Sequence, residues 1–324
     1  MIEVTELTKK YDNTTAVADI SFRVDQGETL GLIGTSGCGK TTTLKMLNRL
    51  IEPTSGNILM NGEDIRQRHP VKLRQGIGYV IQNTGLFPHY TVAENIAVVP
   101  RLLGWKKKKI NQRTHELLDL VGLSPRQFSP RYPHELSGGQ QQRVGIARAL
   151  AADPPIILLD EPFGALDQIT RRQIQGEFKQ LESLLHKTVV LVTHDIFEAV
   201  TLCDRLCLMD KGKVQQLGTP KELIFHPKTE FVRSFFQGNQ FQLELLVTSL
   251  QEILPWLPRR DTIENNLPTY SSHQSLWDVL ETFEGSFAKS PYMKISASDQ
   301  DEIWVATCEE ILTAFYQFKN NLNH

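Results

Sequence analysis

The sequence predicts an α/β fold built on a largely parallel central sheet, followed by a smaller α+β unit, and three observations predict it. Short β-rich runs at Thr29–Ile33, Ile77–Ile81, Ile156–Leu159 and Val189–Thr193 alternate with longer segments of helical period, such as Thr41–Leu50 and Gly139–Ala152. A glycine-rich run joins the first of these strands to the first of these helices. Composition then changes near residue 240: of 21 glycines only Gly285 lies in residues 241–324, whereas three of the four tryptophans (Trp256, Trp277 and Trp304) do.

The charge distribution changes at the same place. Residues 241–324 carry 5 Lys+Arg against 12 Asp+Glu, a net −7, which leaves +5 on residues 1–240. We expect domains at 1–236 and 237–324, with the boundary in the polar stretch Gln237-Gly238-Asn239-Gln240. A length of 324 residues suits two such units. With 40% hydrophobic and 22% charged residues the chain is an ordinary globular one, neither disordered nor collagen-like. Its net charge of −2 gives no bias toward nucleic acid or an anionic membrane surface.

Four cysteines, Cys38, Cys203, Cys207 and Cys308, have neither the density of a disulfide framework nor C-x-x-C spacing, so a reducing cytosol fits. The opening MIEVTELTKKYD alternates and carries charge from its third residue, and no apolar run approaches the ~18 residues that cross a bilayer. The expectation is a chain neither secreted nor membrane-spanning.

Taken in order, the strand ETLGLI (28–33) leads into Gly34-Thr35-Ser36-Gly37-Cys38-Gly39-Lys40-Thr41 and then the helix TTTLKMLNRL (41–50). This is G-x-x-x-x-G-K-[ST] between a strand and a helix, the context the pattern requires. Glycines let successive backbone N–H groups converge on phosphate oxygens, and the helix N-terminus adds its positive dipole end. Lys40 reaches the β- and γ-phosphates, Thr41 can ligate Mg²⁺, and Thr42 lies in the same first turn. Ile110–Val121 and the helix near residue 140 interrupt the β/α alternation as a helical insertion. Ile156-Ile157-Leu158-Leu159 then ends in Asp160-Glu161, a buried strand delivering two carboxylates, one to hold Mg²⁺ and one to polarise a water.

Between the two acidic and phosphate motifs stands Leu136-Ser137-Gly138-Gly139-Gln140. With it, residues 1–236 resemble the nucleotide-binding subunit of an ABC transporter, whose signature is LSGGQ. The resemblance implies a P-loop NTPase of the ABC type, with a mostly parallel core, an antiparallel β part and a helical insertion. It also implies site roles for residues of this sequence. Tyr11 stacks on adenine, Gln82 senses Mg²⁺ and the attacking water, and Asp167, in GALD, lies on the loop crossing to a partner subunit. His194, in LVTHD, contacts the γ-phosphate as the switch histidine. Glu161 is the general base, Asp160 the Mg²⁺-side carboxylate, and Ser137, Gly138, Gly139 and Gln140 close over ATP held by the other protomer. ATP and Mg²⁺ are the implied ligands and a homodimer the implied working unit.

The segment Gly85–Ile96 (GLFPHYTVAENI) resembles importers, where this surface receives the coupling helix of a transmembrane subunit; apolar Leu86, Phe87 and Tyr90 would otherwise be awkwardly exposed. LKMLNRLIEP (44–53), NIAVVPRLLGW (95–105) and ALAADPPIILLDEPFGALD (149–167) resemble the ATPases that energise uptake of glycine betaine, carnitine, choline and related osmoprotectants. The implied partners are transmembrane permease subunits and, indirectly, an extracytoplasmic solute-binding protein, with no nucleic acid; the implied place is the cytoplasmic face of the membrane. Importers of amino acids, sulfonates or polyamines share the same ATP site. A soluble ABC ATPase without a transport role is the reading from another class, against which stand the single P-loop, the single LSGGQ and the lack of sustained heptads.

In the tail, QSLWDVLETF (274–283), YMKISA, EIWVAT and CEEILTAFYQF resemble one CBS unit, with too few residues for two clear units and no obvious ligand motif. An ionic-strength sensor, a dimerising plug and a packing appendage stay open. Elsewhere, Cys203 and Cys207 read as small buried hydrophobes rather than a metal pair, and His89 and His134 as packing or surface residues. Lys106–Lys109 beside Trp105 reads as a solvated helix start rather than a membrane contact. Cys38, inside the phosphate loop, is expected to block nucleotide entry when oxidised or alkylated.

Overall fold

The computed structural model describes residues 1–81, 85–164, 166–260, 267–284, 291–296 and 303–322, with the side chains of 168, 180–185 and 284 left aside. The first compact unit comprises Met1–Leu223 and Lys228–Val232; the second comprises Ile224–Pro227 and Arg233–His324.

The first unit contains strands β1 (Ile2–Tyr11), β2 (Thr14–Val24), β3 (Thr29–Gly34), β4 (Ser55–Met60), β5 (Glu63–Asp64), β6 (Ile77–Val80), β7 (Ile156–Asp160), β8 (Thr188–Val192), β9 (Arg205–Asp210) and β10 (Lys213–Gly218). Six of them form a sheet in the order β10-β9-β3-β8-β7-β6. Its pairs are parallel from β9 to β6, and β10 adds an antiparallel edge. Every residue of β3, β7 and β8 is buried, which is why these strands read in sequence as unbroken apolar runs instead of alternating ones.

A second sheet, β2-β1-β4-β5, is antiparallel. It supplies the antiparallel part that the ABC resemblance implies, and β1 is the strand spelled by the alternating N-terminus: Ile2, Val4 and Leu7 are buried. The helix Lys40–Leu47 lies in the core between the two sheets. Leu44, Met46 and Leu47 pack there with Ile20 and Phe22 of β2, Leu30 and Leu32 of β3, and Val190 and Val192 of β8. A third region is helical. Lys107–Leu120 buries Ile110, Thr114, Leu117 and Leu118 and packs against Val92–Leu102 and Gly138–Leu150. The helical region therefore begins earlier than Ile110, with the helix Val92–Leu102, which a capping box of Thr91 and Glu94 starts.

The second unit carries β11 (Thr269–Ser271), β12 (Tyr292–Ser296) and β13 (Ile303–Thr307), ordered β11-β12-β13, with β11 parallel and β13 antiparallel to β12. The helix Leu276–Glu284 connects β11 to β12, and Cys308–Leu322 follows β13. Its core gathers Leu276, Val279, Phe283, Met293, Ile295, Ile311, Phe315 and Phe318. Two ion pairs fasten its elements, Lys319–Glu244 between two helices and Arg260–Glu310 between a loop and a helix. Lys319 Nζ donates to both carboxylate oxygens of Glu244, at 2.8 and 2.6 Å, and Glu244 is only 1% exposed. Arg260 grips Glu310 in two parallel bonds of 2.9 and 2.6 Å. Although burial works in the other direction, the Arg260 hydrogen bond and charge hold the Glu310 carboxyl below its usual range.

Candidate active site

β3 delivers the phosphate loop to the carboxyl edge of the parallel sheet, where open α/β sheets place their ligands. Two loop glycines are required by contact as well as by backbone angle. Gly34 has φ +141°, and a Cβ there would stand 1.9 Å from the Met209 carbonyl oxygen of β9; at Gly39, with φ +105°, it would stand 2.5 Å from the Ala16 carbonyl oxygen. Thr35, Ser36 and Gly37 are exposed at the crest of the loop. Lys40 bends back beneath them, its Nζ donating to the carbonyl oxygens of Gly34 (2.8 Å) and Thr35 (3.0 Å). The backbone N–H groups of the first turn, Lys40, Thr41 and Thr42, have no acceptor within the helix and are available to an anion.

Cys38 turns inward from the loop. Its side chain is 2% exposed and belongs to the hydrophobic core, so its part in the loop is played by the backbone.

Asp160 ends β7, two strands from β3 across β8. Its Oδ1 accepts a hydrogen bond from Thr41 Oγ1 at 3.0 Å, joining two of the three residues, Thr41, Asp160 and Gln82, expected to share the metal. Burial first, and the neighbouring Glu161 charge after it, raise its carboxyl above the usual range, against the opposing influence of Thr41, Lys45 and Tyr79. Tyr79 on β6 bonds Asp160, and burial together with that carboxylate pushes its phenol up to about 12.

Glu161 leaves the strand in the left-handed region at φ +47°, unusual for a non-glycine residue. Its backbone N–H donates to Val192 O at 2.9 Å, binding the end of β7 to the end of β8. That turn brings Glu161 Oε2 to 3.4 Å from His194 Nδ1, with the histidine side chain 64% exposed. Behind His194, Asp195 caps the helix Ile196–Leu202, accepting from the N–H groups of Phe197 and Glu198. Arg171 pairs with Asp195 at 3.4 Å and donates to the carbonyl oxygens of Phe163 and Leu166, fastening the segment before Asp167. The Thr170 side chain and backbone hold the Asp167 carboxyl below its usual range.

Ser137 caps the helix Gly138–Leu150 in a reciprocal box with Gln140: Gln140 N donates to Ser137 Oγ (3.3 Å) and Ser137 N to Gln140 Oε1 (3.1 Å). Ser137 and Gly138 are exposed while Gly139 is buried, where a Cβ would meet Thr170 Cγ2 at 2.6 Å. The structure thus gathers the phosphate loop, Asp160, Glu161 and His194 along one edge, and sets Ser137–Gln140 beside the Asp167 segment. Tyr11, at the end of β1, is 45% exposed with Lys9 Nζ 4.9 Å from its ring centre. Gln82 lies outside the described residues.

Sequence reasoning missed Tyr79, Arg171 and Asn95. Tyr79 pairs in register with Leu158, which puts it on the same sheet face as Asp160, a relation visible only once β6 is known to border β7. Asn95 is fully buried and ties down the 87–91 loop: it accepts from Phe87 N (2.8 Å) and donates to the carbonyl oxygens of Phe87, Tyr90 and Thr91. This leaves Phe87 41% exposed, in a ring cluster with His89 and Tyr90. Beside it, along β6, a cavity of about 310 Å³ is lined by Ile77, Tyr79, Ile81, Phe87, Val98 and Arg148 among others. Cys203 and Cys207 are buried as small apolar residues, and burial pushes the Cys207 thiol up to about 12. Lys109 lies over the Trp105 ring at 3.6 Å.

Comparison with known proteins agrees with this geometry. The ABC transporter family model matches residues 17–164. The choline transport ATP-binding protein OpuBA of Bacillus subtilis is 47% identical over 283 residues, 87% of this chain and 72% of that one. The carnitine transport ATP-binding protein OpuCA of Listeria monocytogenes is 43% identical over 329 residues, 99% of this chain and 82% of its own length, so the similarity extends through the tail. Among solved structures, the dimeric post-hydrolysis state of the ATP-binding cassette MJ0796 bound to ADP and Pi is 34% identical, with a TM-score of 0.61 over 68% of this chain and 98% of that one. By its phosphate loop, its paired carboxylates and these relatives, the chain belongs to the ABC transporter family as an ATP-binding subunit.

Proposed function

We propose that this protein binds and hydrolyses ATP to power an importer of a quaternary-amine osmoprotectant (glycine betaine, carnitine or choline) through partner transmembrane subunits. The observation that carries the ATPase reading is the alignment of Gly34–Thr42, Asp160, Glu161 and His194 along the carboxyl edge of β3, β7 and β8. The solute class is supported by the relatives named for choline and carnitine transport.

The loop N–H groups and Lys40 bind the phosphates of ATP, the substrate. Thr41 hydroxyl and Asp160 carboxylate, already 3.0 Å apart, are hard oxygen donors suited to Mg²⁺. Bound there, Mg²⁺ neutralises phosphate charge. Glu161 accepts a proton from the attacking water, and His194, 3.4 Å from it, holds its orientation and reaches the γ-phosphate. Tyr11 stacks on the adenine. Ser137–Gln140 present a capped helix N-terminus, with its positive dipole end, to a γ-phosphate held by a second copy, and Asp167 lies on the crossing loop. Two copies then sandwich two nucleotides head to tail, and hydrolysis removes the contacts that favour closure. Gln82 completes the site in this reading.

The apolar cavity along β6, with exposed Phe87 at its rim, suits the coupling helix of a permease, and in this reading the chain works at the cytoplasmic face of a membrane; among the described residues no helix is long and apolar enough to cross one. A solute-binding protein outside the membrane selects the cargo. Residues 1–236 form the ATPase domain in this reading. Residues 237–324 form an accessory domain whose β11–helix–β12–β13–helix order suits a single CBS-like unit.

The test is co-purification of the tagged full chain from detergent-solubilised native membranes, followed by ATP hydrolysis in the reconstituted complex. Permease subunits and stimulation by choline, glycine betaine or carnitine are expected. Stimulation by amino acids alone overturns the solute class, and recovery only in soluble complexes overturns the transport role.

A further inference from the structure

Glu198 lies on the helix behind His194 and has no part in the mechanism above. The residue is 4% exposed, and its Oε1 is buried without a hydrogen-bond partner. A carboxylate in that position carries a desolvation cost that a neutral carboxyl group avoids. The charged and titratable groups facing it are Asp195 of the preceding turn, Arg171 of the helix Gln168–Leu185 and Glu161 at the end of β7; its own helix, Ile196–Leu202, carries no other. Burial first, then the Asp195 charge, push its carboxyl up to about 8, with Thr193 and Arg171 opposing and Glu161 adding to the rise.

This carboxyl therefore borders the elements that aim the reactive groups. The Thr193 hydroxyl faces it and also accepts the Asp195 N–H at 3.0 Å, so the turn presenting His194 rests against Glu198. Arg171 is already committed to Asp195 at 3.4 Å and to the Phe163 and Leu166 carbonyl oxygens at 3.2 and 3.0 Å. An ionised Glu198 competes with Asp195 for that single guanidinium.

We propose that Glu198 is a positioning residue for ATP hydrolysis, whose uncharged carboxyl group leaves Arg171 free to hold Asp195 and the Phe163–Leu166 carbonyl groups and so fixes His194 against Glu161. Ionisation draws Arg171 away, loosens the His194 turn and the Asp167 segment together, and slows hydrolysis. The inference rests on the reading of Glu161 and His194 as the reacting pair.

The test is the pH profile of kcat for ATP hydrolysis by the full chain, from pH 6.5 to 9.5, for wild type, Glu198→Gln and Glu198→Ala. One ionisation near pH 8 leaves about a tenth of the sites neutral at pH 9, so wild type is expected to lose about tenfold in kcat there. Glu198→Gln, uncharged at every pH and equal in size, is expected to match wild type at pH 7 and to keep its rate at pH 9. Glu198→Ala, which removes the support for Thr193, is expected to lose about tenfold in kcat at pH 7 with little change in the KM for ATP. The proposal is overturned if Glu198→Gln keeps the wild-type alkaline fall, or if Glu198→Ala hydrolyses ATP as fast as wild type. Glu161→Gln, measured alongside, separates the two readings: undiminished hydrolysis in that variant overturns the role of Glu161 whatever Glu198 does.

Discussion

Glu161 sits in the left-handed backbone region directly after a fully buried strand, a conformation that costs about 1–2 kcal/mol in a non-glycine residue. The hydrogen bond from its N–H to Val192 O holds it there, and the geometry keeps its carboxylate beside His194. Replacing Glu161 by Gln should preserve ATP binding and lower hydrolysis by about 10²–10⁴-fold, measured by nucleotide binding and phosphate release. Glu198 has a consequence for stability too. Its folded value of about 8 lies above the unfolded value near 4.5, so between them the unfolded chain has released a proton that the folded chain retains. Stability attributable to this group is present in full below about pH 4.5 and declines as pH rises through about 8. Glu198→Gln should therefore gain in melting temperature over wild type at pH 8, and more than at pH 5. Cys38 should alkylate slowly in the folded protein, since its thiol lies in the core.

Among the elements, two of the capping boxes show how local sequence sets the ends of functional helices. Ser137–Gln140 and Thr91–Glu94 both read S/T-x-x-E/Q, and both close reciprocally. The first was legible as a helix start; the second was not read as one. The loop before it depends on Asn95, which spends all its polar capacity on backbone groups of residues 87–91. Asn95→Leu should leave those groups unpaired and destabilise the protein by about 2–4 kcal/mol, read by urea unfolding, while weakening permease assembly. Four of the five parallel strands, β3, β6, β7 and β8, were legible to within a residue or two, and β3, β7 and β8 because burial on both faces makes them continuous apolar runs; β9 was not assigned. The two-residue β5 and three-residue β11 carry too few side chains for any periodic signal.

At the scale of the whole molecule, each unit has a core of its own among the described residues, between the sheets in the first and around Phe283, Phe315 and Phe318 in the second. Calorimetry should resolve two unfolding transitions. ATP with Mg²⁺ should raise only the transition of the first unit, by about 2.7 kcal/mol at a hundredfold excess over Kd. Lys319→Met should lower the other, by about 1–3 kcal/mol, because it leaves Glu244 buried without its cation while Lys319 itself is partly solvated. The sequence by itself determined the α/β class, the phosphate loop, the paired carboxylates and the family, because each is written in contiguous residues whose spacing is dictated by strand ends and phosphate geometry. Only the tertiary structure decided the order of strands that brings Thr41 to Asp160 and Glu161 to His194, the inward turn of Cys38, and the burial of Glu198 and Asn95. Those depend on contacts between residues far apart in the chain, and the desolvation that sets their chemistry exists only once the layers have packed.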